Sequence, residues 1–113
     1  MSQRIERVNQ LIQREVSHQL RQRYQKKALK ITISSVDTST DLRNARIYFS
    51  VLGNSTDIKE AKTFFYEIGR KIQRNVSNNI ILKYFPKFEF IYDESLKRGA
   101  SLIELIDEIV EES

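Results

Sequence analysis

The sequence is poor in the residues on which most catalytic and metal sites depend. Among 113 residues there are no cysteines, three glycines and one histidine, His18. Without cysteine the chain can form no disulfide and no thiolate metal site. Walker loops and dinucleotide-binding fingerprints need closely spaced glycines, whereas Gly53, Gly69 and Gly99 lie far apart. These absences argue against an enzyme, and we expect no metal and no cofactor.

Long apolar runs are missing as well. The longest, such as residues 80–82, are far shorter than the roughly 20 apolar residues that cross a bilayer as a helix. Residues 1–12 are polar and lack the apolar centre of a secretory signal. We therefore expect a cytoplasmic protein without a membrane partner. A chain of 113 residues is enough for one domain and leaves no room for a second.

Charge is abundant and unevenly distributed. All 19 Lys and Arg lie in residues 1–100 beside ten acids, which gives that part a net charge of +9. Such a body attracts a polyanion, and charge alone leaves RNA, DNA and anionic lipid open. We divide the chain into a domain at 1–100 and an acidic helical tail at 101–113. The tail has no base and five acids, Glu104, Asp107, Glu108, Glu111 and Glu112.

Alternating apolar residues predict three strands. They cover residues 29–33, 45–51 and 87–92, and the alternation slips at 34–36, where we expect a bulge. The short connection between the first two strands favours antiparallel pairing. Pro86 precedes the third strand, a position that a strand tolerates.

Helical spacing predicts a first helix over residues 4–21 and a second that begins with Thr56 or Asp57 as its cap and runs to about Asn79. Gly69 interrupts the buried stripe of the second helix and predicts a kink there. Two strands, a helical crossover and a third strand together predict an α+β fold. In it the helices should cover one face of a small mixed sheet.

The cations form three candidate phosphate-binding groups. The central group follows the kink glycine, where a close backbone approach and the start of a helical segment both suit an anion. The second is the outer face of the first helix, and the third is the connector behind it. A solvated basic face is the structural alternative for each. The members are Gly69, Arg70, Lys71, Arg74 and Lys83; Arg4, Arg7, Arg14 and Arg21; and Lys26 and Lys27.

Several strings resemble one family in collinear order. Residues 41–53 (DLRNARIYFSVLG) are similar to the second-strand signature of the ribosome-binding factor A family. Residues 82–90, followed by 93–95, resemble its third-strand signature, while 4–8 and 99–106 resemble its opening helix and terminal segment. The resemblance covers nearly the whole chain, and this collinearity is more specific than any single motif.

This resemblance implies a type II KH-like fold with the order α-β-β-α-kink-α-β. KH modules clamp the nucleic-acid backbone with a G-x-x-G loop, which the family replaces by an Ala-x-Gly kink between two central helices. Gly69 falls on the kink glycine, whereas Glu67 stands in place of the alanine. A carboxylate there would repel phosphate, so we expect Glu67 to face solvent or to pair with Arg70 or Lys71.

The resemblance also implies a function. Members bind the free 30S small ribosomal subunit transiently, contact 16S rRNA, support late maturation and processing of its 5′ end, and help growth in the cold. A maturation GTPase or initiation factors would release the protein, which should be a monomer and not an enzyme. One alternative is a stand-alone KH-type regulator of other RNAs. A second, an enzyme in a ferredoxin-like sandwich, lacks a catalytic constellation.

Overall fold

The computed structural model describes residues 2–82 and 85–94. Within them the chain forms two helices and three strands, in an α+β arrangement. The predicted acidic tail at 101–113 and Lys83 lie outside the described residues. In chain order the elements are α1 (Ser2–Arg23), β1 (Ile31–Thr38), β2 (Asn44–Val51), α2 (Ser55–Asn79) and β3 (Lys87–Tyr92).

The sheet is mixed, as the sequence predicts. Its strand order is β1-β2-β3, with β1 antiparallel to β2 and β3 parallel to β2. The register between β1 and β2 shifts between Ile33 and Ser35, which confirms the bulge. Because β2 and β3 run in the same direction, Phe49 and Tyr92 are paired neighbours near one end of the sheet.

The core lies between the two helices and one face of this sheet. On β2 the buried side chains are Ala45, Ile47 and Phe49, which alternate with exposed or half-buried ones because successive strand residues point to opposite faces. Phe65 of α2 lies 4.6 Å from Phe49, measured between ring centroids. The buried stripe of α1 consists of Val8, Ile12, Val16 and Leu20.

The predicted start of the first strand and the predicted cap of the second helix are wrong. Leu29 is 82% exposed and precedes β1, because the chain turns there and the Ile31 N–H donates to the Ala28 carbonyl. Helix α2 is capped by Asn54 and not by the residues after it. The Asn54 side chain accepts the Asp57 N–H at 3.1 Å, while the Asp57 carboxylate accepts the Asn54 N–H at 3.0 Å. This reciprocal capping box satisfies two backbone donors.

The predicted division of the second helix at Gly69 is wrong at the level of secondary structure, because α2 is one helix of 25 residues. Glycine weakens a helix by about 1 kcal/mol relative to alanine, but it keeps its N–H donor and does not end the hydrogen-bond ladder. A β-carbon at Gly69 would lie 3.4 Å from the Phe90 ring. Such a distance is an ordinary van der Waals contact, so Gly69 marks where α2 packs against β3.

Candidate nucleic-acid interface

One flank of α2 forms a groove with β3, called here the α2–β3 groove. It has a volume of about 380 Å³. Helical geometry brings α2 residues at intervals of three and four to the same flank, which accounts for the helix side of the groove. The residues that line it are Lys62, Phe65, Tyr66, Gly69, Arg70 and Gln73 from α2, with Phe49, Lys87, Phe88 and Phe90 from the sheet.

The floor of the α2–β3 groove is aromatic. Phe65 and Phe90 are stacked with ring centroids 4.6 Å apart, and Phe88 meets Phe90 edge to face at 6.2 Å. Gln73 fixes the strand against the helix, because its Oε1 accepts the Phe88 N–H at 2.9 Å. The floor is therefore held by packing and by a side-chain hydrogen bond before any ligand binds.

The rim of the α2–β3 groove is basic and includes one solvent-exposed aromatic ring, that of Tyr66. Among the described residues, the charged ones that line it are Lys62, Arg70 and Lys87, and none of them is a carboxylate. The Lys62 ammonium lies 5.5 Å from the centroid of the Tyr92 ring, a cation–π distance. Burial, followed by the charges of Glu94 and Asp93, raises the pKa of the Tyr92 hydroxyl. Tyr66 is 91% exposed.

The structure divides the predicted central group. Gly69 and Arg70 line the α2–β3 groove, and the exposed Arg74 lies one helical turn beyond Arg70, on its outer side. Lys71 is exposed but lies about 100° further round the helix, on the flank that carries Glu67. The sequence neighbours Arg70 and Lys71 therefore serve different surfaces.

That second flank of α2 forms a cleft with the α1–β1 connector, called here the connector cleft, of about 550 Å³. Glu67 lies there and is exposed, so its carboxylate faces solvent, away from the α2–β3 groove. Lys26 and Lys27 line the opposite wall. Charge in this cleft is mixed, since it is lined by Lys26, Lys27, Lys30 and Lys59 and by Asp57, Glu60 and Glu67.

One ion pair closes the end of the connector cleft. The Lys30 ammonium lies 3.0 Å from the Asp57 carboxylate. The Asn54 N–H, followed by Lys30, holds the pKa of the Asp57 carboxyl below its ordinary value of 3.8. This carboxylate therefore stays charged and keeps both the helix cap and the connector in place.

The cations of α1 form a third surface. Arg4, Arg7, Arg14 and Arg21 are exposed, opposite the buried stripe of the helix. Arg7 and Arg14 border one shallow depression of about 410 Å³, with Leu11 between them. From Arg4 to Arg21 the helix rises roughly 26 Å, so this surface is long and nearly straight.

Other kinds of site find little support in the part of the chain that the structure describes. No three His, Cys, Asp or Glu side chains come together there as a cation site, and His18 is exposed on α1. Neither of the two helices in that part is apolar enough to cross a membrane.

Sequence reasoning missed Lys62, Tyr66 and Gln73. Their signal was present, because together with Gly69 they recur at helical intervals of four, three and four residues. What the sequence did not reveal was the strand opposite them, and hence which side of the helix forms the groove.

Comparisons with known proteins identify the family. A family model described as "Ribosome-binding factor A" matches residues 4–106. The chain belongs to the ribosome-binding factor A family. Its relatives include the ribosome-binding factor A of Opitutus terrae, 40% identical over 96% of this chain and 89% of that protein. That of Nitrosococcus oceani is 33% identical over 96% of this chain and 86% of its own length.

Solved structures of the ribosome-binding factor A family have a similar fold. The crystal structure of ribosome-binding factor A from Thermus thermophilus superposes with a TM-score of 0.68 at 12% identity, over 78% of this chain and 94% of that one. A solution structure of a Thermotoga maritima protein, titled a candidate ribosome-binding factor A, gives a TM-score of 0.67 at 26% identity. It covers 80% of this chain and 87% of the other.

Proposed function

We propose that this protein is a ribosome biogenesis factor that binds free 30S subunits transiently by contacting 16S rRNA through the α2–β3 groove. The observation that carries the proposal is the lining of that groove by the described residues, which supply three cations, an aromatic floor and no carboxylate, in a chain of the ribosome-binding factor A family. It acts by binding and not by catalysis.

The groove suits a single-stranded or looped RNA segment. Lys62, Arg70 and Lys87 surround it with positive charge, which attracts the phosphates and fixes their register. Tyr66 is open to solvent and offers a ring on which an unpaired base can stack, a contact that proteins use widely for RNA. Gly69 lies between Tyr66 and Gln73 on the helix side of the groove, packed toward the Phe90 ring.

The remaining predicted residues form supporting contacts. Arg74, one helical turn from Arg70, extends the groove, and Lys83, which lies outside the described residues, remains a proposed phosphate contact. The α1 arginines and the connector lysines, Lys26 and Lys27, add phosphate contacts at a distance, and Lys71 contributes less than Arg70. The domain of residues 1–100 is then a type II KH-like module in which one long α2 takes the place of two central helices.

Within the cell, we propose that the protein is a cytoplasmic monomer that acts late in the assembly of the small ribosomal subunit. It supports maturation and processing of the 16S rRNA 5′ end and growth in the cold, and a GTPase or initiation factors release it. A binding protein with these roles must dissociate from the finished subunit, which suits a contact surface dominated by exposed, salt-sensitive charge.

Co-sedimentation with purified free subunits tests the proposal. The double variant Lys62→Glu, Arg70→Glu should remain folded, because Arg70 and Lys62 are exposed, and should lose association. A control with the same change of charge, Arg23→Glu, Lys59→Glu, uses exposed cations outside the groove and should lose much less. Equal losses would contradict the groove assignment. Migration of the parent protein only with small RNAs would favour the stand-alone regulator.

A further inference from the structure

We propose that the turn between β1 and β2, residues 39–43, is a further RNA-contacting element, in which Arg43 binds a phosphate and joins the α2–β3 groove to the arginines of α1. The inference rests on the proposed function, because it extends the same RNA-binding surface. Three features of the turn carry it: its position between two basic surfaces, its rigid backbone, and the charges around Arg43.

The turn adjoins the α2–β3 groove at Lys87. Lys87 lines that groove, and its backbone N–H donates to the Arg43 carbonyl at 2.8 Å. Asn44, the next residue, is the register partner of Lys87. Adjacent strands lie about 4.8 Å apart, and the side chains of Arg43 and Lys87 are both exposed. The two cations are therefore close enough to contact neighbouring phosphates of one RNA strand.

The same turn lies beside the first half of α1. The Thr38 N–H, directly before the turn, donates to Oδ1 of Asn9 at 3.0 Å. Further back along β1, the Ile33 carbonyl accepts a hydrogen bond from the Gln13 side chain at 3.1 Å. Helix α1 therefore runs antiparallel to β1, and Arg7 lies toward the turn. The turn thus stands between the α1 arginines and the α2–β3 groove.

Hydrogen bonds within the turn fix its backbone. The Ser39 N–H donates to the Asn44 carbonyl at 2.8 Å, and the Leu42 N–H donates to the Ser39 carbonyl at 2.9 Å. Leu42 has a φ of +62°, a left-handed conformation that residues other than glycine rarely adopt. Strained backbone of this kind clusters at binding and active sites. The turn is therefore held in one shape before any RNA binds.

Asp41, the one acid of the turn, serves this rigid backbone. Its Oδ1 accepts the Ser39 hydroxyl at 2.6 Å and the Arg43 N–H at 3.0 Å. The Ser39 hydroxyl, followed by the Arg43 N–H, lowers the pKa of the Asp41 carboxyl, so the carboxylate stays charged and keeps these bonds. Among the described residues, the Arg43 guanidinium forms no salt bridge, which leaves it available to a phosphate.

Arg46, three residues further on, has different neighbours. It is exposed, but its register partners are Asp37 on β1 and Glu89 on β3. Cross-strand neighbours on one face of a sheet interact, so these two acids offset the charge of Arg46 and would repel a phosphate. Arg43 precedes the strand and lies outside this row of acids. Arg46 is therefore a matched control for Arg43.

Association with purified free subunits over a series of salt concentrations tests the inference. Arg43→Gln should weaken association several-fold at low salt and reduce the slope of log K against log salt by roughly 0.7 to 0.9, the effect of one lost phosphate contact. Arg46→Gln, with the same change of charge, should leave the slope unchanged. Thermal melting followed by circular dichroism checks that both variants are folded. An unchanged slope for Arg43→Gln, or equal changes in both variants, would overturn the proposal.

Crosslinking from the turn is a second measurement, which leaves Arg43 in place. The protein has no cysteine, so Thr40→Cys attaches a single photo-crosslinker at an exposed position of the turn. Thr32→Cys attaches the same group at an exposed position near the other end of β1. In complex with free subunits, the probe at 40 should crosslink to 16S rRNA and the probe at 32 should not. Equal crosslinking from both positions, or none from 40, would contradict the contact.

The groove variant separates this inference from the proposed function. If Lys62→Glu, Arg70→Glu loses association while Arg43→Gln keeps the slope of the parent, the turn makes no phosphate contact and the groove assignment stands. If Arg43→Gln flattens the slope while the groove variant binds like the parent, the contact by the turn is supported and the groove assignment fails.

Discussion

The two flanks of α2 carry similar numbers of cations but differ in their carboxylates. In the described part of the chain, the α2–β3 groove is lined by Lys62, Arg70 and Lys87 and by no acid. The connector cleft has four lysines with three acids among them, and one of those acids, Asp57, is bound to Lys30. A count of basic residues would rank the connector cleft first. The distribution of acids favours the α2–β3 groove as the RNA-binding surface.

This difference indicates that the groove flank of α2 serves binding, whereas the connector flank stabilises the fold. On the connector flank, Asp57 joins the helix cap to the connector through hydrogen bonds to Asn54 and Lys30. On the groove flank, Tyr66 and Arg70 are exposed. Changes near Asp57 should therefore alter unfolding, and changes in the groove should alter binding.

Gly53→Ala should give the largest effect on stability. Gly53 has a φ of +140°, and an added β-carbon would collide with the Asp57 carboxylate that completes the capping box. Strain of this kind costs about 1–3 kcal/mol. Urea unfolding should show that loss, while subunit affinity per folded molecule should stay close to that of the parent. A stability equal to the parent's would contradict the role given to this turn.

Tyr66→Ala should give the complementary result. The ring is 91% exposed, so the free energy of unfolding should change little. Loss of one stacked base costs about 1–3 kcal/mol, which corresponds to roughly a fivefold to 150-fold loss of affinity. Tyr66→Phe is the control, because it keeps the ring, and should bind nearly as the parent does. Normal binding by the alanine variant would show that no base stacks on Tyr66.

Arg7→Ala, Arg14→Ala should affect binding through charge alone. Both side chains are exposed on α1, away from either flank of α2. Each lost phosphate contact should reduce the salt dependence of log K by a slope of roughly 0.7 to 0.9. Measuring association with subunits over a series of salt concentrations gives the slope. If it does not change, α1 makes no phosphate contacts.

Acid titration should give the smallest effect. Because its folded pKa is lowered, Asp57 stabilises the native state above the ordinary carboxyl pKa of 3.8. This contribution begins to fall once the pH drops below that value. It is fully lost when the pH is below the lowered pKa of the folded protein. The difference in stability between the parent and Asp57→Asn should therefore be constant near neutral pH and shrink below about pH 4. A difference independent of pH would exclude the charge of Asp57 as its source.

Much of the fold could be predicted from sequence because each feature is local. The alternation of Ala45, Ile47 and Phe49 defines a strand with one buried face, and the loss of alternation after Ile33 marks the bulge. The cap of α2 was placed two or three residues late, because a capping side chain acts on residues that follow it. Asn54 and Asp57 look equally suitable until the backbone geometry is known.

The candidate site was harder to predict because it depends on two elements that meet in space. The sequence analysis placed Arg70 and Lys71 in one candidate phosphate-binding group. The two residues are neighbours in the chain but lie on different flanks of α2. The sequence analysis also interpreted Gly69 as a kink between two helices, whereas α2 is one helix through this residue and Gly69 packs against Phe90. Position relative to β3, which no local pattern encodes, decides which cations share a groove.

The most direct test of this account compares Arg70→Glu with Lys71→Glu in association with purified free subunits. The two residues are adjacent and exposed, the two substitutions change the charge equally, and the two side chains lie on different flanks of α2. With both variants folded by circular dichroism, Arg70→Glu should lose much more affinity than Lys71→Glu. Equal losses, or a larger loss for Lys71→Glu, would contradict the assignment of the α2–β3 groove.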